Sequence, residues 1–265
     1  MERACSTMIK LSMIKKSYGS KEVLKGVSLE VRKRELLCLV GPNGAGKTTI
    51  LNVIAGLCRP DEGTVFINDV LMDGMNGNHS VHVYPSDRKI GYVFQDYALF
   101  PHMTVSQNIA YGMKARHVPR NDAAERTRKL LDLLGLLDHS EHYPHQLSGG
   151  QKQKTALARA LAVEPEILLL DEPLSALDPR ARESIRVELK RILGTLEVTS
   201  IYVTHDVAEA YDVSDRIAVM GPGRIEQTGS REEVFSKPRP YVAQFLGDGL
   251  QWKRSHLNGN HEIYS

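Results

Sequence analysis

Little in this sequence supports a covalently stapled or membrane-spanning scaffold. Its three cysteines, Cys5, Cys38 and Cys58, share no metal-ligand spacing, and two of them sit inside apolar segments. That pattern excludes a disulfide framework and suits buried thiols in a reducing compartment. Long hydrophobic runs are missing too. Leu36–Val40 and Ile167–Leu170, among the longest uncharged ones, fall far short of the ~20 residues that cross a bilayer. The first ten residues carry charge but no apolar stretch, so no secretory signal is expected. Neither sign of charge dominates: 34 basic against 32 acidic side chains leave a formal +2. With no basic stretch, a nucleic-acid partner bound by phosphate neutralisation is not expected. No internal repeat is visible, and 42% apolar residues suffice for a packed core, which excludes a disordered or collagenous chain. A length of 265 residues fits one large domain or two small ones.

What is present is alternation. Met8–Ile14 and Val23–Val31 read as strands, joined by a turn at Tyr18-Gly19-Ser20. Leu36–Val40 is an unbroken apolar run ending at Gly41, the pattern of a strand buried on both faces. Thr48–Leu57 follows with Ile50, Leu51, Ile54 and Leu57 at helical spacing. Val65–Ile67 and Ile90–Phe94 read as further strands. Between them Asn68–Lys89, rich in Asn, Gly, His and Asp, reads as a long loop. Asn121 or Asp122 can cap a helix with the stripe Ala124, Leu130, Leu131, Leu134 and a stop at Gly135, and Ser148 can cap another reaching Ala162. Beyond lie strand Ile167–Leu170, helix Pro179–Leu193, strand Ser200–Thr204, helix Val207–Asp212 and strand Arg216–Met220. Such alternation predicts an α/β fold with a parallel sheet between helices. From Gly249 to Ser265 the periodicity is lost, and a loose polar tail is expected.

Gly41-Pro42-Asn43-Gly44-Ala45-Gly46-Lys47-Thr48 fits the pattern G-x-x-x-x-G-K-[ST], set between an apolar strand and an amphipathic helix. The glycines let backbone N–H groups line an anion-binding concavity, and the helix presents its positive end to the same point. Lys47 would reach the β- and γ-phosphates, the Thr48 hydroxyl would take Mg²⁺, and Thr49 continues the phosphate-binding turn. A chance glycine-rich turn would lack that setting. Ile167–Leu170 ends in Asp171 and Glu172, at the strand edge where open α/β sheets bind ligands. Asp171 would orient the Mg²⁺ shell, and Glu172 could polarise the attacking water; a solvated acidic pair is the plain alternative. His205 follows the strand Ser200–Thr204 and could meet a γ-phosphate or serve the structure alone. Gln95 could ligate Mg²⁺, hold water or be an ordinary surface residue. Leu147-Ser148-Gly149-Gly150-Gln151 makes a second anion site, with a serine cap and two bare glycines at a helix start.

In this order the motifs resemble those of the ATP-binding-cassette family, over about residues 8–247. The resemblance implies a phosphate-loop NTPase fold: a parallel-sheet core, an antiparallel β subdomain and an inserted α-helical subdomain at about 97–163. It leaves 248–265 as a short tail. It implies ATP and Mg²⁺ as cofactors, with Tyr18 stacked on adenine and Gly41–Thr49 around the phosphates. Thr48, Gln95 and Asp171 would hold the metal, and Lys47, Glu172 and His205 would carry the catalysis. It also implies a head-to-tail homodimer, in which Ser148, Gly149, Gly150 and Gln151 of one copy close the phosphate loop of the other. Ser175-Ala176-Leu177-Asp178 then lies at the subunit boundary.

Within the family, Pro85–Gln95, Tyr97–Val105, Gly223–Gln227 and Pro240–Gly247 are most similar to importer ATPases of the sugar, oxyanion and polyamine type. That implies a peripheral subunit on the cytoplasmic face of the cell membrane, with an integral-membrane permease docked near Gln95–Val105. A periplasmic or extracellular solute-binding protein would act indirectly, and no nucleic acid is implied. Tyr97, Leu99, Phe100 and Met103 either receive the permease or pack the local core. Overall likeness leans toward an oxyanion solute such as molybdate, tungstate or sulfate. The alternatives are the ATPase of an exporter, and a soluble cassette acting on DNA or ribosomes; near-neutral charge opposes the second. The chain departs from many relatives at Lys154, where they have Arg. Its Asn68–Lys89 segment is longer than usual, and Met72, Met75, His79 and His82 there lack the spacing of a metal site. After Gly247 no β-rich regulatory domain is expected, nor the substrate-sensing inhibition such a domain provides.

Overall fold

The computed structural model describes residues 6–77 and 79–247, so Cys5 and the expected tail at 248–265 lie outside the described residues. Two compact units make up the chain: one runs up to Val83 and resumes at Ile201, and the other is Tyr84–Ser200.

The first unit opens with β1 (Thr7–Tyr18) and β2 (Lys21–Arg32), paired antiparallel from Thr7↔Arg32 to Tyr18↔Lys21. Ile9, Leu11, Ile14, Leu24, Val27 and Val31 turn inward and are buried, the half-buried alternation that strand geometry produces. Next come β3 (Leu36–Val40), α1 (Lys47–Ala55), β4 (Glu62–Ile67), β5 (Val70–Asn76) and β6 (His79–His82). Strands β2-β1-β4-β5-β6 form one sheet. The expected loop Asn68–Lys89 is therefore corrected, because most of it is an antiparallel hairpin followed by a 3-10 turn at Pro85–Asp87. Its polar composition hid the pairing. Asp73 stands opposite His82, and the His82 Nδ1 to Asp73 Oδ1 distance is 2.7 Å, so a buried polar pair holds the register that apolar residues usually set.

The second unit contains β7 (Ile90–Val93), α2 (Val105–Ala115), α3 (Arg120–Leu133), α4 (Gly149–Leu161), β8 (Ile167–Asp171) and α5 (Pro179–Leu196). Strands β7 and β8 run parallel. Neither Asn121 nor Asp122 caps α3, because both lie inside the helix: Pro119, at φ −53°, leads straight into Arg120. Helix α2 was not anticipated, although Thr104 and Gln107 form a reciprocal capping box at its start, a pattern legible as T-x-x-Q.

The chain returns to the first unit within β9 (Thr199–Thr204) and continues as α6 (Val207–Val213), β10 (Arg216–Gly221), β11 (Arg224–Ser230) and α7 (Arg231–Ser236). The order β11-β10-β3-β9 places β3 parallel to β10, with Cys38 opposite Ile217, in a buried sheet. Among the described residues no helix is long and apolar enough to cross a membrane.

Candidate functional site

In the first unit, the apolar strand β3 ends at Gly41, and the chain winds through Pro42–Gly46 into α1. Gly46 is the residue before the helix, with φ 106°, a value L side chains rarely adopt. A Cβ there would also stand 2.8 Å from Leu24 Cδ2 and 3.2 Å from the Val23 carbonyl oxygen. Replacing Gly46 by alanine is expected to cost about 2–3 kcal/mol, read as a lower urea midpoint; an unchanged midpoint would mean that the loop relaxes freely. The loop is fastened from outside as well, since Gly223 N–H donates to the Ala45 carbonyl at 3.0 Å. Lys47 is 5% exposed, and its Nζ donates to the carbonyls of Gly41 at 2.8 Å and Pro42 at 3.1 Å. The ammonium is thereby curled over the loop. Thr48 is exposed and Thr49 half-buried.

Tyr18 closes β1 beside this loop and is 52% exposed. Its hydroxyl lies 3.5 Å from Cys58 Sγ, and that contact raises the phenol above its ordinary range, while the Thr49 side chain acts in the opposite sense. The ring is thus tethered at its tip near α1 with its face exposed. His205, also exposed, follows β9, the hydrogen-bonded neighbour of β3. What holds its turn escaped the sequence reading. The buried Glu209 carboxylate accepts from the hydroxyls of Tyr202 and Thr204. Thr204 Oγ1 in turn accepts from Asp206 N–H at 3.0 Å, and Asp206 caps α6. Burial and the Glu209 charge push the Tyr202 phenol well up. A glutamate among Ala208, Ala210 and Val213 was the available signal.

In the second unit, all five residues of β8 are buried, and Asp171, at its end, is 4% exposed. The Tyr92 hydroxyl lies 3.5 Å from Asp171 Oδ2; burial first, and the Asp171 charge second, push that phenol far up. Glu172 follows at φ 43°, and its carbonyl accepts from Ser175 N–H at 3.1 Å and Ser175 Oγ at 2.8 Å. Its Oε2 lies 3.5 Å from Gln95 Nε2. Phe94, Gln95, Asp96, Asp171, Ser175 and Ala176 line a cavity of about 590 Å³. The structure therefore brings Gln95, Asp171 and Glu172 together. Asp171 and Gln95 offer oxygen donors here. That donor chemistry fits Mg²⁺, which takes hard oxygens and one or two carboxylates together with substrate phosphates.

Ser148 caps α4 through a reciprocal box: Gln151 N–H donates to Ser148 Oγ at 3.3 Å, and Ser148 N–H donates to Gln151 Oε1 at 2.8 Å. The glycines behind it serve packing. A Cβ at Gly149 would meet Leu177 Cδ2 at 2.8 Å, and one at Gly150 would meet Ile185 Cδ1 at 2.4 Å. Asp178 is exposed and precedes α5, where the Arg182 guanidinium holds the carbonyls of Leu177 at 3.1 Å and Ser175 at 3.4 Å. In the stretch Gln95–Val105, Tyr97 is buried, whereas Leu99, Phe100 and Met103 are half-buried. Two residues absent from the sequence argument fix this stretch. Asn108 Nδ2 donates to the carbonyls of Phe100, Met103 and Thr104, and Arg159 donates to those of Tyr97 and Ala98.

The sequence model described as ABC transporter matches residues 24–175. The sulfate/thiosulfate import ATP-binding protein CysA of Halalkalibacterium halodurans is 45% identical over 245 residues, 91% of this chain and 66% of that protein. CysA of Nocardia farcinica is 46% identical over 257 residues, 97% of this chain and 75% of that protein. The trehalose/maltose import ATP-binding protein MalK of Thermococcus litoralis is 46% identical over 240 residues, 90% of this chain and 64% of that protein. The chain thus spans about two thirds of the length of these relatives. Among solved structures, the ATP-binding cassette MJ0796, dimeric and bound to ADP and Pi, is similar with a TM-score of 0.73 and 32% identity, over 84% of this chain and 99% of that one.

Proposed function

The chain belongs to the ABC transporter family and has the α/β fold of its ATP-binding cassettes, and from that premise we propose that it is the ATP-hydrolysing subunit of an importer. The observation that carries this reading is the 45–46% identity to proteins named as import ATP-binding proteins, over nine tenths or more of the chain. Residues 8–247 are the cassette, with a helical subdomain at about 97–163. Tyr18 offers adenine its exposed face, and Gly41–Thr49 bind the phosphates through backbone N–H groups and the Lys47 ammonium. Thr48, Gln95 and Asp171 hold Mg²⁺, which neutralises phosphate charge when bound. Glu172 takes the proton of the attacking water, and His205 contacts the γ-phosphate. A second copy supplies Ser148–Gln151 and meets the loop ending at Asp178. Most of the rate enhancement is positioning and electrostatics. Because the closed dimer binds ATP more tightly than the open one, ATP shifts the balance between them.

An integral-membrane permease docks at Gln95–Val105, whose backbone Asn108 and Arg159 hold rigid, and the chain rests against the cytoplasmic membrane face. A solute-binding protein outside the membrane delivers the cargo. Sulfate or a similar oxyanion is the solute these names favour, with a sugar second because of MalK. The purified chain is expected to hydrolyse Mg-ATP with a rate per chain that rises with protein concentration. Cells lacking it are expected to lose uptake of labelled sulfate and keep that of maltose. Absence of ATP hydrolysis overturns the enzyme assignment, and the reverse uptake pattern overturns the solute.

A further inference from the structure

Two histidines are left unused by that mechanism, His139 directly against the signature and His142 against His139. After α3 the chain makes a single 3-10 turn, Leu137–His139, and His142 N–H donates to the His139 carbonyl at 2.9 Å. The turn is fastened to the start of α2: Val105 N–H donates to the His142 carbonyl and Ser106 N–H to the Ser140 carbonyl, each at 2.9 Å. Both imidazoles belong to half-buried residues, with ring centroids 5.1 Å apart. His139 Nε2 lies 2.8 Å from Gln151 Nε2, and His139 Nδ1 lies 3.1 Å from His142 Nδ1.

One fixed point settles where the protons are. The Ser148 backbone N–H can only donate, and it lies 2.8 Å from Gln151 Oε1, so that atom is the amide oxygen. Gln151 Nε2 is then the NH₂ group and donates, which makes His139 Nε2 the bare, accepting nitrogen. The His139 proton must sit on Nδ1 and be donated to His142 Nδ1, itself bare, leaving the His142 proton on Nε2. The three links run one way, from Ser148 through Gln151 and His139 to His142, and the last two each need a bare ring nitrogen as acceptor.

We propose that His139 is a positioning residue for the signature. By accepting from Gln151 it holds that amide in the orientation that caps Ser148, and so presets the Ser148 hydroxyl and the start of α4 for the nucleotide on the other copy. This rests on the cassette reading above. His142 fixes the His139 tautomer, and the backbone bonds from Val105 and Ser106 tie the relay to the end of the docking stretch.

Two measurements test it. His139→Leu keeps the bulk and removes the acceptor, while His139→Gln restores an acceptor at the Nε2 position. His139→Leu is expected to lower kcat about tenfold, the worth of one misplaced hydrogen bond in the closed state. Its KM for ATP stays within twofold, and His139→Gln recovers most of the rate. An unchanged kcat in His139→Leu, or a His139→Gln variant as slow as the leucine one, overturns the proposal, because a packing role would favour leucine. Independently of any His139 variant, ¹⁵N NMR of the full chain should show His139 protonated on Nδ1, and Gln151→Leu should move that proton to Nε2. A wild-type His139 protonated on Nε2 overturns the relay. Failure of the cassette reading would instead appear as a wild-type chain that hydrolyses no ATP, with the NMR result still decisive for the relay.

Discussion

Glu172→Gln is expected to lower ATP turnover by about a hundredfold to ten-thousandfold while leaving nucleotide binding intact and trapping an ATP-bound dimer. The substitution exchanges one carboxylate oxygen for an amide nitrogen, so the side chain keeps its volume and loses its charge together with the capacity to take a proton. The backbone has no reason to move. Glu172 holds its left-handed φ of 43° through its carbonyl, which accepts from both the N–H and the hydroxyl of Ser175; neither bond involves the carboxylate. Asp171 stays at the end of a fully buried strand and remains available to the metal. The Gln95 amide, 3.5 Å from Glu172 Oε2, would face an amide in place of a charge and still find a partner. Binding energy that hydrolysis normally dissipates then accumulates in the closed state. Size-exclusion chromatography with Mg-ATP should show a dimer that the wild type populates only transiently. A Glu172→Gln variant that turns over within threefold of wild type would remove Glu172 as the base and leave Asp171 or His205 to supply that function.

The parts of this chain that were legible in advance are those where one residue type has one use. Leu36–Val40 and Ile167–Leu170 can only be buried strands, and the structure draws their limits within a residue. Ser148 caps α4 as its position before two glycines implied. The hairpin β5–β6 was illegible because its register rests on Asp73 and His82, and polar residues between glycines read as loop. Helix α2 is hidden from apolar spacing because the signal at its start is polar, the T-x-x-Q cap formed by Thr104 and Gln107. The residues that stiffen the site lay furthest from reach. Glu209, Asn108 and Arg159 act through carbonyls and hydroxyls distant in sequence, and no periodicity records such bonds. The two bare glycines of the signature also pack closely: the space where their side chains would stand is filled by Leu177 and Ile185, contacts that no local pattern records.

Lys47→Ala is expected to weaken ATP binding about a hundredfold and to reduce hydrolysis below detection, without unfolding the chain. The ammonium is almost wholly buried, and it is held by two loop carbonyls, those of Gly41 and Pro42. Its desolvation is thus already paid in the folded protein, and what it offers phosphate is a charge in a site of low dielectric. Each charge-assisted hydrogen bond there is worth about 1.5–3 kcal/mol, so losing one or two lowers affinity by about one to four orders of magnitude. The loop should survive, because its shape depends on Gly46 at φ 106° and on the Gly223 N–H to Ala45 carbonyl bond. The Gly41 residue is buried and Pro42 half-buried beside the exposed Asn43 and Gly44, and the space the lysine side chain vacates lets water serve the two carbonyls left behind. Stability should therefore fall by only about 1 kcal/mol. Lys47→Arg is no remedy, since a planar guanidinium needs a wider space than a 5% exposed ammonium occupies. Titration with a fluorescent ATP analogue beside urea unfolding separates the outcomes. Loss of binding with a urea midpoint lowered only slightly supports the loop as the phosphate site. Wild-type affinity in Lys47→Ala would place the nucleotide elsewhere and take with it the roles proposed for Thr48, Asp171 and Glu172.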